Sequence, residues 1–317
     1  MSANFVLAIH GGAGTIARGA TGGDEAPYHD ALKRALGAGL AVLRANGCAI
    51  DAVQAAVTVL EDEPLFNAGH GAVLTADARH ELDASIMDGA TLAAGAVAGV
   101  CTIKNPVAAA RAVLQHSGCV LLAGAGAERF AREQGIALVP ETYFSTPKRV
   151  AQLAEAKRLA AARGSTVMLL DHQASEGNDG KFGTVGAVAL DAHGHLAAAV
   201  STGGLTNKRP GRIGDTPLVG AGIYANDATC AVAATGTGEH FLRACVAHDI
   251  HARMHYTGAS LEAAAHAAIH TGLSAIGGQG GIITVDAQGN IAMPFNTVGM
   301  YRGVVRADGV MMTQIFA

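Results

Sequence analysis

Apolar and polar positions follow two rhythms along this chain, and each change of rhythm marks an element. Residues 5–9 form an unbroken apolar run ending at HGGAG (10–14), which predicts a short buried strand. Residues 25–45 carry helical periodicity, closed by Asn46-Gly47 as a helix stop, and residues 50–60 predict a second helix ending before Pro64. Residues 92–103 are small, apolar and strand-like. Asn105-Pro106 predicts an N-cap followed by proline at the first helical position, for a helix running to about His116. Residues 147–163 predict a polar-faced helix. Residues 172–183 (HQASEGNDGKFG) are polar, contain glycine and read as an exposed linker. Two hairpins follow: residues 184–190 and 195–201 around a turn at 191–194, and residues 281–285 and 290–293 around a turn at 286–289. Between them, residues 239–255 and 259–270 predict two alanine-rich helices. Hairpins mean antiparallel pairing, so a layered α/β sandwich fits better than a doubly wound parallel sheet.

Composition narrows the function. Half of the 317 residues are hydrophobic and 15% are charged, which suits a well-packed enzyme and not a solvating chain. The 42 glycines are about twice the usual share. Aromatics are 4% and tryptophan is absent, which argues against a carbohydrate cleft or a base-stacking platform. A net charge of −4 without any basic run makes nucleic acid and anionic membrane poor partners. Cys48, Cys101, Cys119, Cys230 and Cys245 are scattered with no CxxC, which predicts free thiols in a reducing compartment. The first residues lack the basic region of a signal peptide and no apolar stretch is long enough to span a bilayer, so a cytoplasmic enzyme is expected.

The linker ends in Gly183-Thr184 at the head of an apolar strand. Alone, that is an ordinary turn before a β-branched residue. Three further segments give it company: Ser201-Thr202-Gly203-Gly204, the loop NKRPGRIGD (207–215) and TGTGE (235–239). A threonine hydroxyl needs a base to become a nucleophile. A free α-amino group titrates at about 7.7–8.0 and can be that base on the same residue. Thr184 would then have to be a chain terminus, and Gly183 tolerates the backbone angles that internal cleavage demands. Arg212 presents a fork matching a carboxylate, and Asp215 can accept from an ammonium, so the two suit the head of an amino acid. Thr235-Gly236, before a helix, offers a hydroxyl and N–H groups to a developing oxyanion.

With these residues in place, the chain resembles the plant-type (type III) L-asparaginases and isoaspartyl peptidases, within the N-terminal-nucleophile hydrolases. The resemblance runs from HGGAG to MPFNTVGMYRG near residue 303. Its most specific stretches are PLFNAGHG (64–71), ELDASIMDG (81–89), GTVGAVALD (183–191), STGGLTNKRPGRIGD (201–215) and TGTGE. It implies a four-layer αββα sandwich with two central, mainly antiparallel sheets. It also implies self-cleavage into residues 1–183 and 184–317, together one domain. Thr184 matches the nucleophile and Thr202 the threonine that tunes it. Arg212 and Asp215 match the holders of the substrate α-carboxylate and α-amino group. Thr235 and Gly236 match the oxyanion hole, Gly238 lines the same pocket, and Asn67 matches an asparagine that positions the nucleophile and its leaving group. Main-chain carbonyls of Leu60, Glu61, Glu63, Phe66, Ala68 and His70 match a sodium-binding loop. The expected substrates are β-aspartyl dipeptides and L-asparagine. No catalytic cofactor is expected, and the resemblance implies a dimer of αβ units.

Other readings carry less. His251/His255 and His266/His270 lie four apart on helical faces, but the HExxH glutamate is missing, so surface or helix-end histidines are expected. HGGAG, GGQGG and TGTGE fit neither a dinucleotide fingerprint nor a P-loop. A non-catalytic glycine-rich binding protein would keep the fold and lose the cleavage. A glycosylasparaginase-like amidase belongs to the same superfamily, but is typically secreted or lysosomal. The processing reading is checked by mass spectrometry: mature protein is expected as two chains, residues 1–183 and 184–317. Activity from an intact chain alone would remove the free-amine mechanism.

Overall fold

The computed structural model describes residues 5–14, 25–162 and 183–316. Strand β1 (Val6–Gly14) is buried at every position. Helix α1 (Ala26–Arg44) buries Leu32, Ala35, Leu36, Gly39, Leu40 and Leu43, the three- and four-residue spacing of one helical face. It stops at Asn46 (φ 60°) and Gly47, whose N–H donates to the Val42 carbonyl at 2.9 Å. A Cβ at Gly39 would lie 2.5 Å from Leu7 Cδ2 and 2.9 Å from the Ala52 carbonyl, so glycine is what lets α1 close onto its neighbours. Next come α2 (Ala49–Glu61), β2 (Leu82–Asp88), β3 (Ala94–Val100), α3 (Pro106–His116), β4 (Leu121–Ala123), α4 (Gly124–Glu133) and α5 (Pro147–Ala162). From residue 183 the chain runs through β5 (Val185–Leu190), β6 (Leu196–Thr202), β7 (Ile223–Ala225) and β8 (Cys230–Gly236). Helices α6 (Gly238–Ala244), α7 (Val246–Thr257) and α8 (Leu261–His266) follow, with a π-helical turn at Ala267–Leu273. Strands β9 (Gly280–Asp286), β10 (Ile291–Ala292), β11 (Gly299–Arg306) and β12 (Met311–Phe316) complete the order.

The fold is mixed α/β with two sheets. One has the order β12-β11-β1-β5-β6-β2-β3-β4 and the other β10-β9-β8-β7. Every pair is antiparallel except β3 with β4. The alternation of side chains along the strands sorts them into separate apolar clusters. Leu7, Ile9, Ala187, Ala189, Ala197 and Ala199 join α1, α2 and α3 in one. Val6, Ala8, Val188, Leu190, Ala198 and Val200 face Ala231, Ala233, Ile283 and Val285 of the smaller sheet in a second. Cys230, Val232, Ala234 and Ile282 pack with Phe241, Ile250 and Ile269 in a third. Burial on both faces suits β5 and β6, which consist mostly of small and aliphatic residues.

Several expectations change against the structure. Strand β1 runs on through HGGAG with a register shift between His10 and Gly12, because Gly12 (φ 111°) bends without breaking the pairing to β11. Asn105 sits at the N-cap of α3 but does not cap it: its Nδ2 donates to Asp62 Oδ1 at 3.1 Å. The Val107 N–H donates instead to Glu61 Oε1 at 2.9 Å. The helix predicted over 239–255 is two helices, broken at Cys245 (φ 47°). The first N–H groups of α7 turn to other carbonyls, that of His248 to Gly220 at 2.9 Å, and the chain bends to reach them. His251 is not on the surface; it is 6% exposed, with Nδ1 2.6 Å from Thr229 Oγ1. The expected linker at 172–183 lies, apart from Gly183, outside the described residues.

Candidate active site

The head of β5 and the tail of β6 form the floor of the site. Val185 pairs with Ser201, so the residues one step beyond, Thr184 and Thr202, stand side by side. Thr184 Oγ1 donates to Thr202 Oγ1 at 3.2 Å, and Thr202 Oγ1 also accepts from the Gly204 N–H at 3.0 Å. Thr202 is buried while Thr184 is partly open. Gly183 is packed against β1: a Cβ there would lie 2.5 Å from the Gly11 carbonyl. His10 lies opposite Gly186 across the β1–β5 ladder and is wholly buried. Burial pushes its imidazole down to about 3; the nearby Thr184 backbone opposes that shift, though neither ring nitrogen reaches hydrogen-bond geometry. A neutral ring therefore lies beneath the threonine at ordinary pH.

Asn67 braces the turn after β6. Its Nδ2 donates to the Gly204 carbonyl at 2.7 Å, its Oδ1 accepts from the Val73 N–H at 2.9 Å, and its carbonyl accepts from the Gly203 N–H at 3.0 Å. Its hydrogen bonds thus go to the 203–204 backbone and Val73, and its link to Thr184 runs through Gly204 and Thr202. Thr235 is buried and its Oγ1 accepts from the Ala13 N–H at 3.3 Å, which leaves its own O–H to donate elsewhere. Gly236 packs tightly against Gly280, where a Cβ would come within 2.7 Å of the Gly280 Cα.

Arg212, Asp215 and Gly238 are brought together. A Cβ on Gly238 would lie 2.8 Å from Asp215 Oδ1 and 2.9 Å from Arg212 Nη2, so the missing side chain leaves a gap between opposite charges. Asp215 is 4% exposed and its Oδ2 has no hydrogen-bond partner among the described residues. Burial raises its carboxyl to about 6, against the pull of Arg212. Two neighbours escaped the sequence reading. Glu239 takes the Arg212 guanidinium in a bidentate pair, Nε to Oε1 at 2.8 Å and Nη2 to Oε2 at 2.9 Å. Lys208 is fully buried, with Nζ donating to the Glu81 carbonyl at 2.7 Å. Glu239 stood within TGTGE and Lys208 within NKRPGRIGD, but adjacency in sequence gave no sign of which charges would meet.

Residues 60–71 fold tightly after α2. Gly69 (φ 47°) and Gly71 (φ 103°) let the backbone pack closely, since a Cβ on Gly71 would lie 2.6 Å from the Pro64 oxygen and 2.9 Å from that of Phe66. The Glu61 carbonyl accepts from the His70 N–H at 2.7 Å and the Glu63 carbonyl from that of Phe66 at 3.2 Å, each keeping one lone pair. Main-chain oxygens are ligands that a hard cation takes. Among the described residues no group of three or more His, Cys, Asp or Glu could hold a metal, so a cation here would depend on the main chain.

Paired hydroxyls beside a charged pocket, on a mixed α/β fold, define a class: a hydrolase. A family model described as asparaginase matches residues 3–315. The isoaspartyl peptidase of Salmonella typhimurium strain LT2 is 52% identical over 313 residues, 98% of each chain. The isoaspartyl peptidase of Escherichia coli K12 is 51% identical over 313 residues, 98% of this chain and 96% of its own. The isoaspartyl peptidase/L-asparaginase of Xenopus laevis is 40% identical over 304 residues, 96% of this chain and 93% of its own. The chain belongs to the asparaginase family.

The Asp215 carboxyl must be ionised to accept an ammonium. With its value raised to about 6, affinity for an amino acid carrying free α-ammonium and α-carboxylate groups is expected to strengthen as pH rises through that point. Calorimetric titration across about pH 5 to 8 reads this, and a flat profile would show that no ammonium docks on Asp215.

Proposed function

We propose that the chain is a threonine amidohydrolase that cuts itself between Gly183 and Thr184, then hydrolyses β-aspartyl (isoaspartyl) dipeptides and L-asparagine. The products are L-aspartate and the released amine, which is ammonia from asparagine. The observation that carries this reading is the 3.2 Å contact of the Thr184 and Thr202 hydroxyls at the head of β5, directly after Gly183. The isoaspartyl peptidases among its relatives, at 51–52% identity over nearly the whole chain, support the choice of substrate. The three apolar clusters are read as the seams of a four-layer αββα sandwich of the N-terminal-nucleophile type.

In this mechanism Thr184 Oγ attacks the side-chain carbonyl of the β-aspartyl group and passes its proton to the Thr184 α-amine. The amine returns it to the leaving nitrogen. Thr202 orients and tunes the nucleophile, and Asn67 holds the turn that carries the Gly204 N–H to Thr202. The Thr235 hydroxyl and the Gly236 N–H stabilise the oxyanion. Water then releases L-aspartate from the acyl-enzyme. Arg212 takes the α-carboxylate and Asp215 the α-ammonium, with Gly238 leaving them room. An ordinary α-peptide bond places its carbonyl elsewhere and is spared. The chemistry asks for no cofactor.

The loop carbonyls at Leu60, Glu61, Glu63, Phe66, Ala68 and His70 are proposed to hold a structural sodium ion, supported by the close packing of the Glu61 and Phe66 oxygens against Gly69 and Gly71. A thermal midpoint higher by a few degrees in sodium chloride than in choline chloride is expected; equal midpoints would dismiss the ion. The working form is proposed to be a dimer of αβ units. A cytoplasmic location fits the five unpaired cysteines, and no helix among the described residues is long and apolar enough to cross a membrane.

The nucleophile is tested by three variants, followed by gel electrophoresis and amine release. Thr184→Ala is expected to stay uncut and inactive. Thr184→Ser keeps the hydroxyl, so slow cutting and some turnover should survive. Thr202→Ala should lower turnover by about 10²–10³-fold, the loss of one transition-state hydrogen bond. Full hydrolysis by Thr184→Ala would overturn the proposal.

A further inference from the structure

Arg212 is asked to bind a carboxylate, yet a carboxylate already holds it. Glu239 occupies the Nε–Nη2 edge of the guanidinium with two bonds, at 2.8 and 2.9 Å. A guanidinium has a second edge, Nη1–Nη2, with its own pair of N–H groups. Nη1 makes no hydrogen bond among the described residues. Three glycines surround it. A Cβ on Gly214 would lie 2.9 Å from Nη1 and 3.2 Å from Cζ, over the guanidinium face. One on Gly238 would lie 2.9 Å from Nη2, and one on Gly204 would lie 3.4 Å from Nη1. The edge that Glu239 leaves free is thus the edge that the chain keeps clear of side chains.

We propose that Glu239 is a positioning residue of the carboxylate pocket, locking one edge of Arg212 so that the other faces the Gly204–Gly214–Gly238 cradle where the substrate α-carboxylate docks. This rests on the assignment of Arg212 to the α-carboxylate made above. Glu239 does not compete for that place. Its side chain is 42% exposed against 11% for Arg212, so it approaches from the solvent side and can stay there with substrate bound. Nor does it strip the pocket of positive charge. The buried Lys208 Nζ would lie 2.9 Å from a Cβ on Gly204, on the same side as Arg212 Nη1. Arg212 and Lys208 thus bring positive charge to the free edge, with Asp83, Asp215 and Glu239 as their acidic neighbours. Without Glu239 the long Arg212 side chain would regain its rotamers, and substrate would have to order it again on binding.

The test compares a β-aspartyl dipeptide with its α-carboxamide analogue on fully processed wild type, Glu239→Gln, Glu239→Ala and Arg212→Ala. Glu239→Ala is expected to raise KM for the dipeptide about tenfold with a much smaller change in kcat. It should also shrink the preference for free carboxylate over carboxamide by a similar factor. Glu239→Gln, which keeps an acceptor for Arg212, should fall between. A merely structural role would move both substrates together and leave the preference intact, and that result overturns the proposal. A lower KM in Glu239→Ala also overturns it, because Glu239 would then be a competitor. If Arg212→Ala abolishes the preference and Glu239→Ala does not, only the Glu239 assignment falls. If Arg212→Ala itself leaves the preference unchanged, the carboxylate reading of Arg212 falls and takes this one with it.

Discussion

Strand β5 is hydrogen-bonded on both sides, to β1 and to β6, and the register of those two ladders decides where Thr184 stands. Because side chains alternate, a slip of one residue would turn Val188 and Leu190 away from the smaller sheet and carry Thr184 off Thr202. The apolar surface moved into the wrong layer would cost about 25 cal/mol for each Å² left unburied, summed over two faces. Placement of the hydroxyl is therefore enforced by packing far from it. Asp83 opposite Thr202 on β2 and His10 opposite Gly186 on β1 extend the same discipline to the neighbours.

Around that floor the fold tolerates groups it would be more stable without. Asp215 is buried with one oxygen unpartnered, and a buried polar atom without a hydrogen bond costs free energy. It is the other oxygen, Oδ1, that borders the gap at Gly238. The raised carboxyl of Asp215 is the electrostatic side of the same burial.

What was legible in the sequence follows from what periodicity records. Long one-faced helices such as α1 and α2, and hairpins with clear turns such as β5–β6 and β9–β10, emerged with boundaries close to those found. Strand β2 did not, because Asp83 and Ser85 interrupt its apolar pattern although both are buried. Strands β11 and β12 were missed for glycine and arginine in the first and edge exposure in the second. Thr184, Thr202, Arg212 and Asp215 were singled out through their motifs, and the structure brings the two threonines together and Arg212 to Asp215. The partnership of Glu239 with Arg212 was not legible, since it joins residues 27 apart, one in a loop and the other in the first turn of α6. The capping of α2 by Asp191, whose Oδ2 accepts from the Ala49 N–H at 2.9 Å, was hidden for the same reason.

The larger sheet interleaves the two halves of the chain. In order across it, β12 and β11 come from beyond residue 183, β1 from before it, β5 and β6 from beyond, and β2, β3 and β4 from before. Three ladders, β11–β1, β1–β5 and β6–β2, would therefore run between separate polypeptides once the proposed cut is made. Neither piece could complete the sheet alone, since each would leave unpaired edges and an open core. The cut would also change the molecularity of folding. The uncut chain reforms by a first-order search, whereas the processed one must reassemble from two species, so its unfolding midpoint would rise with protein concentration. Maturation would thus make the enzyme's conformational equilibrium depend on its own abundance.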